Sequence, residues 1–157
     1  MKSIFWPSPI CELGNNEVKI LGSWHAGVIE THRGHLRAIR WMPWAKRISR
    51  LGIWWDRHRR TLPIDHCCLY WHRPWFQSKV VALDYVRSGP QTSVATFHAA
   101  VCLLDEVARS SSSLAAVCHV TNQRISERLL QRWGWERHCL NWSGRHYIRR
   151  YYDGYSN

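Results

Sequence analysis

The stretch that most constrains the fold of this chain is residues 114–135, LAAVCHVTNQRISERLLQRWGW. Its first seven residues are almost all apolar, which is typical of a strand buried on both faces of a parallel sheet. Asn122 follows at the place of a helix N-cap, and Gly134 fits the left-handed position that ends a helix. Between them, apolar residues recur every four positions and predict one buried helical face. These apolar residues are Ile125, Leu129 and Trp133.

The preceding residues predict a second buried strand and a crossover helix. Residues 79–86 (KVVALDYV) form another apolar run, and the turn sequence RSGPQTS (87–93) leads into a helical pattern over about 94–109. Such a unit predicts βαβα order, with the two strands adjacent, parallel and joined by a right-handed crossover. Residues 146–152 (HYIRRYY) indicate a final strand, antiparallel to its neighbour. The apolar stripe of the crossover helix is Phe97, Val101, Leu104 and Ala108.

Over roughly residues 80–152 this order resembles the second half of the GNAT superfamily of acyl-CoA-dependent N-acyltransferases. The resemblance implies a GNAT-like single domain over residues 1–157. The implied fold class is α/β with a mixed sheet (α+β). The domain would contain the central βαβα unit and, in the first half of the chain, a Trp/Arg-rich helical segment. The matching positions are 80–86, 87–93, Asn122, the pair Gly134 and Trp135, and 147–152.

The resemblance also implies a function, namely transfer of an acyl group from acetyl-CoA or another acyl-CoA to an unidentified amine, with no metal. In this family, backbone N–H groups of a turn at a helix N-terminus hold the pyrophosphate of the coenzyme. Asp84, the carboxylate in the strand before that turn, is a candidate general base. A purely structural Asp84 that fixes the turn is an equal alternative. The coenzyme-binding residues implied by the resemblance are Val86, Arg87, Gly89, Thr92, Ser93 and Asn122.

The chain departs from the family pattern at two places. Pro90 and Thr92 stand where glycines are expected, and proline has no N–H to donate. The hydroxyl groups of Thr92, Ser93 and Thr96 could substitute in part. Leu130 stands where the family has a tyrosine acid, and leucine cannot protonate a thiolate. Either another residue does so, or the fold does not catalyse ordinary acetyl transfer; the candidate donors are Tyr85, Tyr147 and Tyr151.

A second function hypothesis comes from the basic, Trp-rich segment 31–62, which holds nine Lys or Arg residues and one acid in a chain of net charge +11. Such a face could bind nucleic acid or another polyanion in a non-catalytic GNAT-like protein, or lie on an anionic membrane. From Trp41 the apolar residues recur at helical spacing. We therefore favour ordinary packing of a Trp stripe on the sheet.

Two further patterns have structural interpretations. Residues 18–24 and 27–30 predict a weak β-hairpin. The cluster HCCLYWHRPW (66–75) offers metal ligands, but strand alternation divides them between two faces, so a structural strand ending in a turn is favoured. His119 is predicted near the carboxyl end of its strand, where open α/β sheets place ligands, although a hydrogen-bonded histidine is the default.

Composition limits the class of protein. With 45% hydrophobic and 21% charged residues the chain is globular and not disordered. The six cysteines form no C-x-x-C pair, which favours free thiols over disulfides or zinc. Neither a signal peptide nor a membrane span of about 20 apolar residues is predicted, so we expect a cytoplasmic protein without integral membrane association. The sequence leaves the acceptor and the oligomeric state open.

Overall fold

The computed structural model describes residues 3–5, 20, 22–42, 63–89 and 91–151. The strands are β1 (Ser3–Phe5), β2 (Ala26–His32), β3 (His35–Trp41), β4 (His66–His72), β5 (Val80–Ser88), β6 (Ala115–His119), β7 (Glu136–Arg137) and β8 (His146–Arg150). The helices are α1 (Val94–Ser110) and α2 (Glu127–Arg132). All strands join one open mixed sheet in the order β1-β3-β2-β4-β5-β6-β8-β7. The fold is therefore α+β, with one main helix packed on a sheet.

The predicted βαβα unit is confirmed. Strands β5 and β6 are adjacent and parallel, paired from Val80↔Ala115 to Leu83↔Cys118, and α1 connects them. Strand β8 lies antiparallel to β6, as expected of a final strand. The other pairings in the sheet are antiparallel. The β5–β6 pair is consequently the place where two carboxyl ends of strands lie side by side.

The hydrophobic core lies between α1 and one face of the sheet. Leu104 and Val107 of α1 are fully buried, together with Ile29, Leu69 and Val81 of the strands. Because strand side chains alternate, these sheet residues share one face.

A polar contact also ties α1 to the β2–β3 hairpin. The Thr31 hydroxyl donates to the Thr96 carbonyl at 2.9 Å, and the Gly34 amide donates to the Thr96 hydroxyl at 2.7 Å. The buried polar groups of this junction thus satisfy one another.

The predicted hairpin of residues 18–24 and 27–30 is wrong. Ile20 and Gly22 are helical, and the real hairpin pairs β2 with β3. Its two-residue turn has Arg33 at φ 49° and Gly34 at φ 77°, the mirror-image turn whose twist suits a hairpin. The Arg33-Gly34 pair was the sequence feature that indicated this turn, and the hydrophobic pattern alone did not show it.

The prediction that a helix begins at Trp41 is wrong for that residue. Trp41 is the last residue of β3 and not the first of a helix. The other stripe residues, and most of the basic segment 31–62, lie outside the described residues. The strand predicted in the 66–75 cluster is confirmed as β4, with a turn after it at Trp75 and Phe76.

Helix α2 begins later than expected. Its N-cap is Ser126, whose hydroxyl accepts from the Leu129 amide, and not Asn122. The Asn122 side chain instead accepts from the Arg124 amide at 2.9 Å and forms a separate turn before the helix. Gly134 ends the helix with φ 78°, as predicted. Neither α1 nor α2 is long and apolar enough to cross a bilayer; this holds for the described part of the chain.

Leu104 and Val94 give a matched test of the core, since both lie on α1. Leu104 is fully buried, whereas Val94 is 60% exposed. Leu104→Ala should lower the free energy of unfolding by about 2–5 kcal/mol, because it removes buried methyl groups and leaves a cavity. Val94→Ala should change it by less than about 0.5 kcal/mol. Urea unfolding followed by circular dichroism measures both; equal losses would contradict this placement of the core.

Candidate functional site

The candidate site forms where β5 and β6 separate. Their last paired residues are Leu83 and Cys118, yet β5 continues to Ser88 while β6 ends at His119. A β-bulge lies at this point, because Tyr70 pairs with Tyr85 but Trp71 pairs with Leu83, so Asp84 is an extra residue in β5. A bulge bends its strand and increases its twist. The bend directs the end of β5 away from β6.

The gap between the strands is a cleft of about 320 Å³. Val86 and Ser88 line its β5 side, and the first turn of α1 lines another wall through Val94 and Phe97. Its interior is apolar, and the buried residues Leu130 and Trp135 belong to it. This size and lining suit a small organic molecule or the end of a longer one.

Six of the seven predicted site residues line this cleft. They are Asp84, Val86, Gly89, Thr92, Ser93 and Asn122.

Arg87 does not line the cleft. It is in register with Cys68 on β4, and Val86 and Ser88 on either side of it face the cleft. Strand alternation therefore directs the Arg87 side chain to the other sheet face. Burial is the main cause of the lowered pKa of His66 on that face, and the positive charge of Arg87 lowers it further. Arg87 is thus the one predicted coenzyme-binding residue that lies outside the cleft lining.

The polar groups of the turn before α1 are already hydrogen-bonded within the protein. The Thr92 amide donates to the Gly89 carbonyl at 3.2 Å, and the Thr92 hydroxyl donates to the His66 carbonyl at 2.8 Å. The Ser93 hydroxyl caps α1 by accepting from the Thr96 amide. These hydroxyl groups hold the turn in place and do not point unpaired into the cleft.

An internal carboxylate occupies the start of α1. Asp65, at φ 53°, accepts a hydrogen bond from the Ser93 amide at 2.7 Å. This backbone N–H lowers the pKa of the Asp65 carboxyl group. Asp65 thus supplies an anion to the positive end of the α1 dipole, the kind of place where helices also bind phosphate groups.

Arg124 is a cation of the cleft that was not predicted from the sequence. It is exposed, it lines the cleft, and it lies in the Asn122 turn. Arg145 of the neighbouring loop fastens this turn by donating to the Asn122 carbonyl at 3.3 Å and to the Ile125 carbonyl at 2.5 Å. The position of Arg124 directly after the strand's carboxyl end was the available signal.

Asp84 is held by a buried partner. Its Oδ1 lies 2.6 Å from Nδ1 of His72, and a third of its side chain is exposed. A carboxylate fixed in this way can accept a proton from a group in the cleft.

The predicted proton donors differ in position. Tyr85 lines the cleft, whereas Tyr147 is fully buried and Tyr151 donates to Asp105 at 2.7 Å. Burial raises the pKa of Tyr151 and raises that of the Cys118 thiol to about 12, so neither ionises near neutral pH. Cys118 therefore lines the cleft as a protonated thiol, which is a much weaker nucleophile than a thiolate.

Within the described ranges no three His, Cys, Asp or Glu side chains gather as metal ligands. No protein-family model, curated protein or solved structure matches the chain. The geometry of the cleft is therefore the basis for the functional argument.

The Asp65 carboxylate gives a test with a defined pH dependence. Because its folded pKa lies below the ordinary value of 3.8, its charge contributes stability above that pH and loses it as pH falls through the folded pKa. Asp65→Asn keeps a side chain that tolerates positive φ but removes the charge. It should cost roughly 0.3–1 kcal/mol at pH 7, typical of an exposed charge at a helix N-terminus. Urea unfolding at pH 7 and pH 3 should show this difference shrinking at pH 3; a constant difference would contradict the role of the charge.

Proposed function

We propose that the protein is a divergent GNAT-like acyltransferase that transfers an acyl group from acetyl-CoA or another acyl-CoA to an amine. The observation that carries the proposal is the separation of β5 and β6 beyond Leu83 and Cys118. The order strand, turn, helix, strand, Asn turn and short helix around this gap supports the GNAT-like assignment of the domain.

The chemistry of the gap suits the pantetheine arm of a coenzyme A thioester. Residues 84–88 of β5 continue beyond the pairing with β6, so the edge of β5 faces the cleft with backbone N–H and C=O groups. An extended ligand that carries amide groups can hydrogen-bond to such an edge as an additional strand does. Pantetheine carries two amides, and the apolar interior at Leu130 and Trp135 can take the acyl group.

The phosphates would lie outside, near Arg124 and the start of α1. Helix geometry leaves the N–H groups of Val94 and Ala95 without intrahelical acceptors. The Ser93 amide already donates to the Asp65 carboxylate, and the Thr96 amide donates to the Ser93 hydroxyl. The N–H groups of Val94 and Ala95 would therefore be the donors for a phosphate. Arg124 would supply the positive charge that Arg87, on the other sheet face, does not supply to this cleft. Asp84 would accept the proton of the amine.

A second candidate is a non-catalytic protein on the same scaffold that binds a nucleic acid or another polyanion through segment 31–62. The occupation of the α1 N-terminus by Asp65 favours it, because this carboxylate competes with a coenzyme phosphate. Within the described residues, Arg33 and Arg37 of this segment are exposed on the β2–β3 hairpin. Salt-dependent binding of a DNA duplex to a protein that does not bind coenzyme A would favour this candidate.

The decisive test is calorimetric titration with acetyl-CoA and with pantetheine, which lacks the nucleotide phosphates. We expect saturable binding of acetyl-CoA, and we expect Arg124→Ala to weaken it by about 1.5–3 kcal/mol, the scale of a lost hydrogen bond to a charged group. The same variant should leave pantetheine binding unchanged.

Arg128→Ala is the matched control, since Arg128 is exposed on α2 and does not line the cleft. It should bind acetyl-CoA as the wild type does. Absence of acetyl-CoA binding at millimolar concentration would overturn the acyltransferase proposal. Binding that responds equally to both substitutions would contradict the place given to the phosphates.

A further inference from the structure

Asp84 and His119 occupy equivalent places at the apex of the cleft. Each is the first residue of its strand after the last paired residues, Leu83 and Cys118, and both line the cleft. Cys118 is buried in the core, so alternation turns His119 to the opposite sheet face. The Asp84 carboxylate contacts His72, which lies on that same face. A carboxylate and an imidazole therefore flank the point where the strands part.

The imidazole of His119 is held by its neighbours. It stacks on His146 with ring centroids 4.4 Å apart and an angle of 13° between the planes. The His146 ring is fixed in turn, with Nε2 2.9 Å from the Ser143 carbonyl oxygen and Trp142 packed edge-on at 5.5 Å.

Gly144 makes room for this arrangement. An added Cβ there would come within 2.4 Å of Nε2 of His119. The Nε2 edge of the ring therefore lies against the loop at Gly144, and Nδ1 lies on the other edge of the ring.

We propose that His119 is the catalytic acid that protonates the departing thiolate, with His146 as its positioning residue. This inference rests on the acyltransferase function proposed above. It supplies the proton donor that Leu130, an apolar residue in the cleft interior, cannot supply. Besides His119, the charged or titratable groups that line the cleft or contact its lining, within the described part of the chain, are Asp84, Tyr85, Cys118, Arg124, His72 and His146.

The step balances with these two groups. The amine nitrogen attacks the thioester carbonyl carbon, forms the C–N bond and gives one proton to the Asp84 carboxylate. The C–S bond then breaks, its electron pair stays on sulfur, and the thiolate takes a proton from the His119 imidazolium. The products are the amide and the coenzyme thiol. Proton transfer from Asp84 to His119, directly or through water, restores both groups.

The test uses free coenzyme A as the probe and measures the pKa of its bound thiol from the ultraviolet absorbance of the thiolate across pH. An imidazolium beside the sulfur favours the thiolate, so the bound thiol should titrate at least about one unit lower in the wild type than in His119→Gln. At a pH where the thiol of coenzyme A is protonated, both proteins should bind it with similar Kd, whereas at higher pH the wild type should bind the thiolate about tenfold more tightly. His35→Gln is the matched control, since His35 is an exposed histidine on β3 and does not line the cleft.

The outcomes separate the two proposals. If the wild type binds coenzyme A but its thiol titrates as it does in His119→Gln, the role of His119 is overturned and the acyltransferase proposal stands. A lowered thiol pKa that disappears in Tyr85→Phe and survives in His119→Gln would also overturn it. If the wild type does not bind coenzyme A at millimolar concentration, the acyltransferase proposal fails and this inference fails with it.

Discussion

The early end of the β5–β6 ladder is the constraint on which the candidate site depends. Four residues of each strand pair in parallel, and the extra residue Asp84 then bends β5 at the bulge opposite Tyr70 and Trp71. Beyond this point β5 continues to Ser88 while β6 ends at His119, so the backbone of residues 84–88 has no partner in β6. A sheet edge, an apolar interior and the start of a helix therefore surround one opening. The bulge costs ladder hydrogen bonds locally and creates the place where a ligand can replace them.

The positive end of the α1 dipole can attract either of two anions, the Asp65 carboxylate or a ligand phosphate. A helix N-terminus attracts an anion, and here Asp65 already supplies one through the Ser93 amide. This contact stabilises the turn after β5 and occupies a donor that an incoming phosphate would need. Among the described residues, Arg124 brings a positive charge to the cleft, and the Arg145 guanidinium binds the backbone carbonyls of the turn that carries it, those of Asn122 and Ile125. In the proposed function, Arg124 would attract the ligand phosphates at the end of the cleft where the Asp65 carboxylate competes with them.

The central unit could be predicted from sequence because its signals are local. The apolar runs of β5 and β6 and the helical stripe of α1 lie within one continuous stretch of the chain, and each has a distinct period. Six of the predicted site residues lie in the cleft because strand ends and the helix start meet wherever such a unit folds.

The errors arose where the outcome depends on a single residue. The bulge at Asp84 shifts which residues face the cleft, so the side of the sheet to which Arg87 points could not be obtained from spacing alone. The hairpin at Arg33 and Gly34 depends on two positive φ angles, and the cap of α2 depends on whether Asn122 or Ser126 meets the first turn. Arg124 became a candidate only when the fold placed it in the cleft, and His119, which the sequence left with a structural role as the default, lines the same cleft.

In the proposed function, the β5 edge beyond Leu83 receives an extended ligand with amide groups. Backbone amide hydrogen exchange by NMR tests it most directly, with and without acetyl-CoA. The account predicts that alternate amides within residues 84–88, those that face away from β4, exchange rapidly in the free protein and become protected when the ligand binds. Amides that are already protected in the free protein, or that stay rapid when acetyl-CoA saturates the protein, would contradict it.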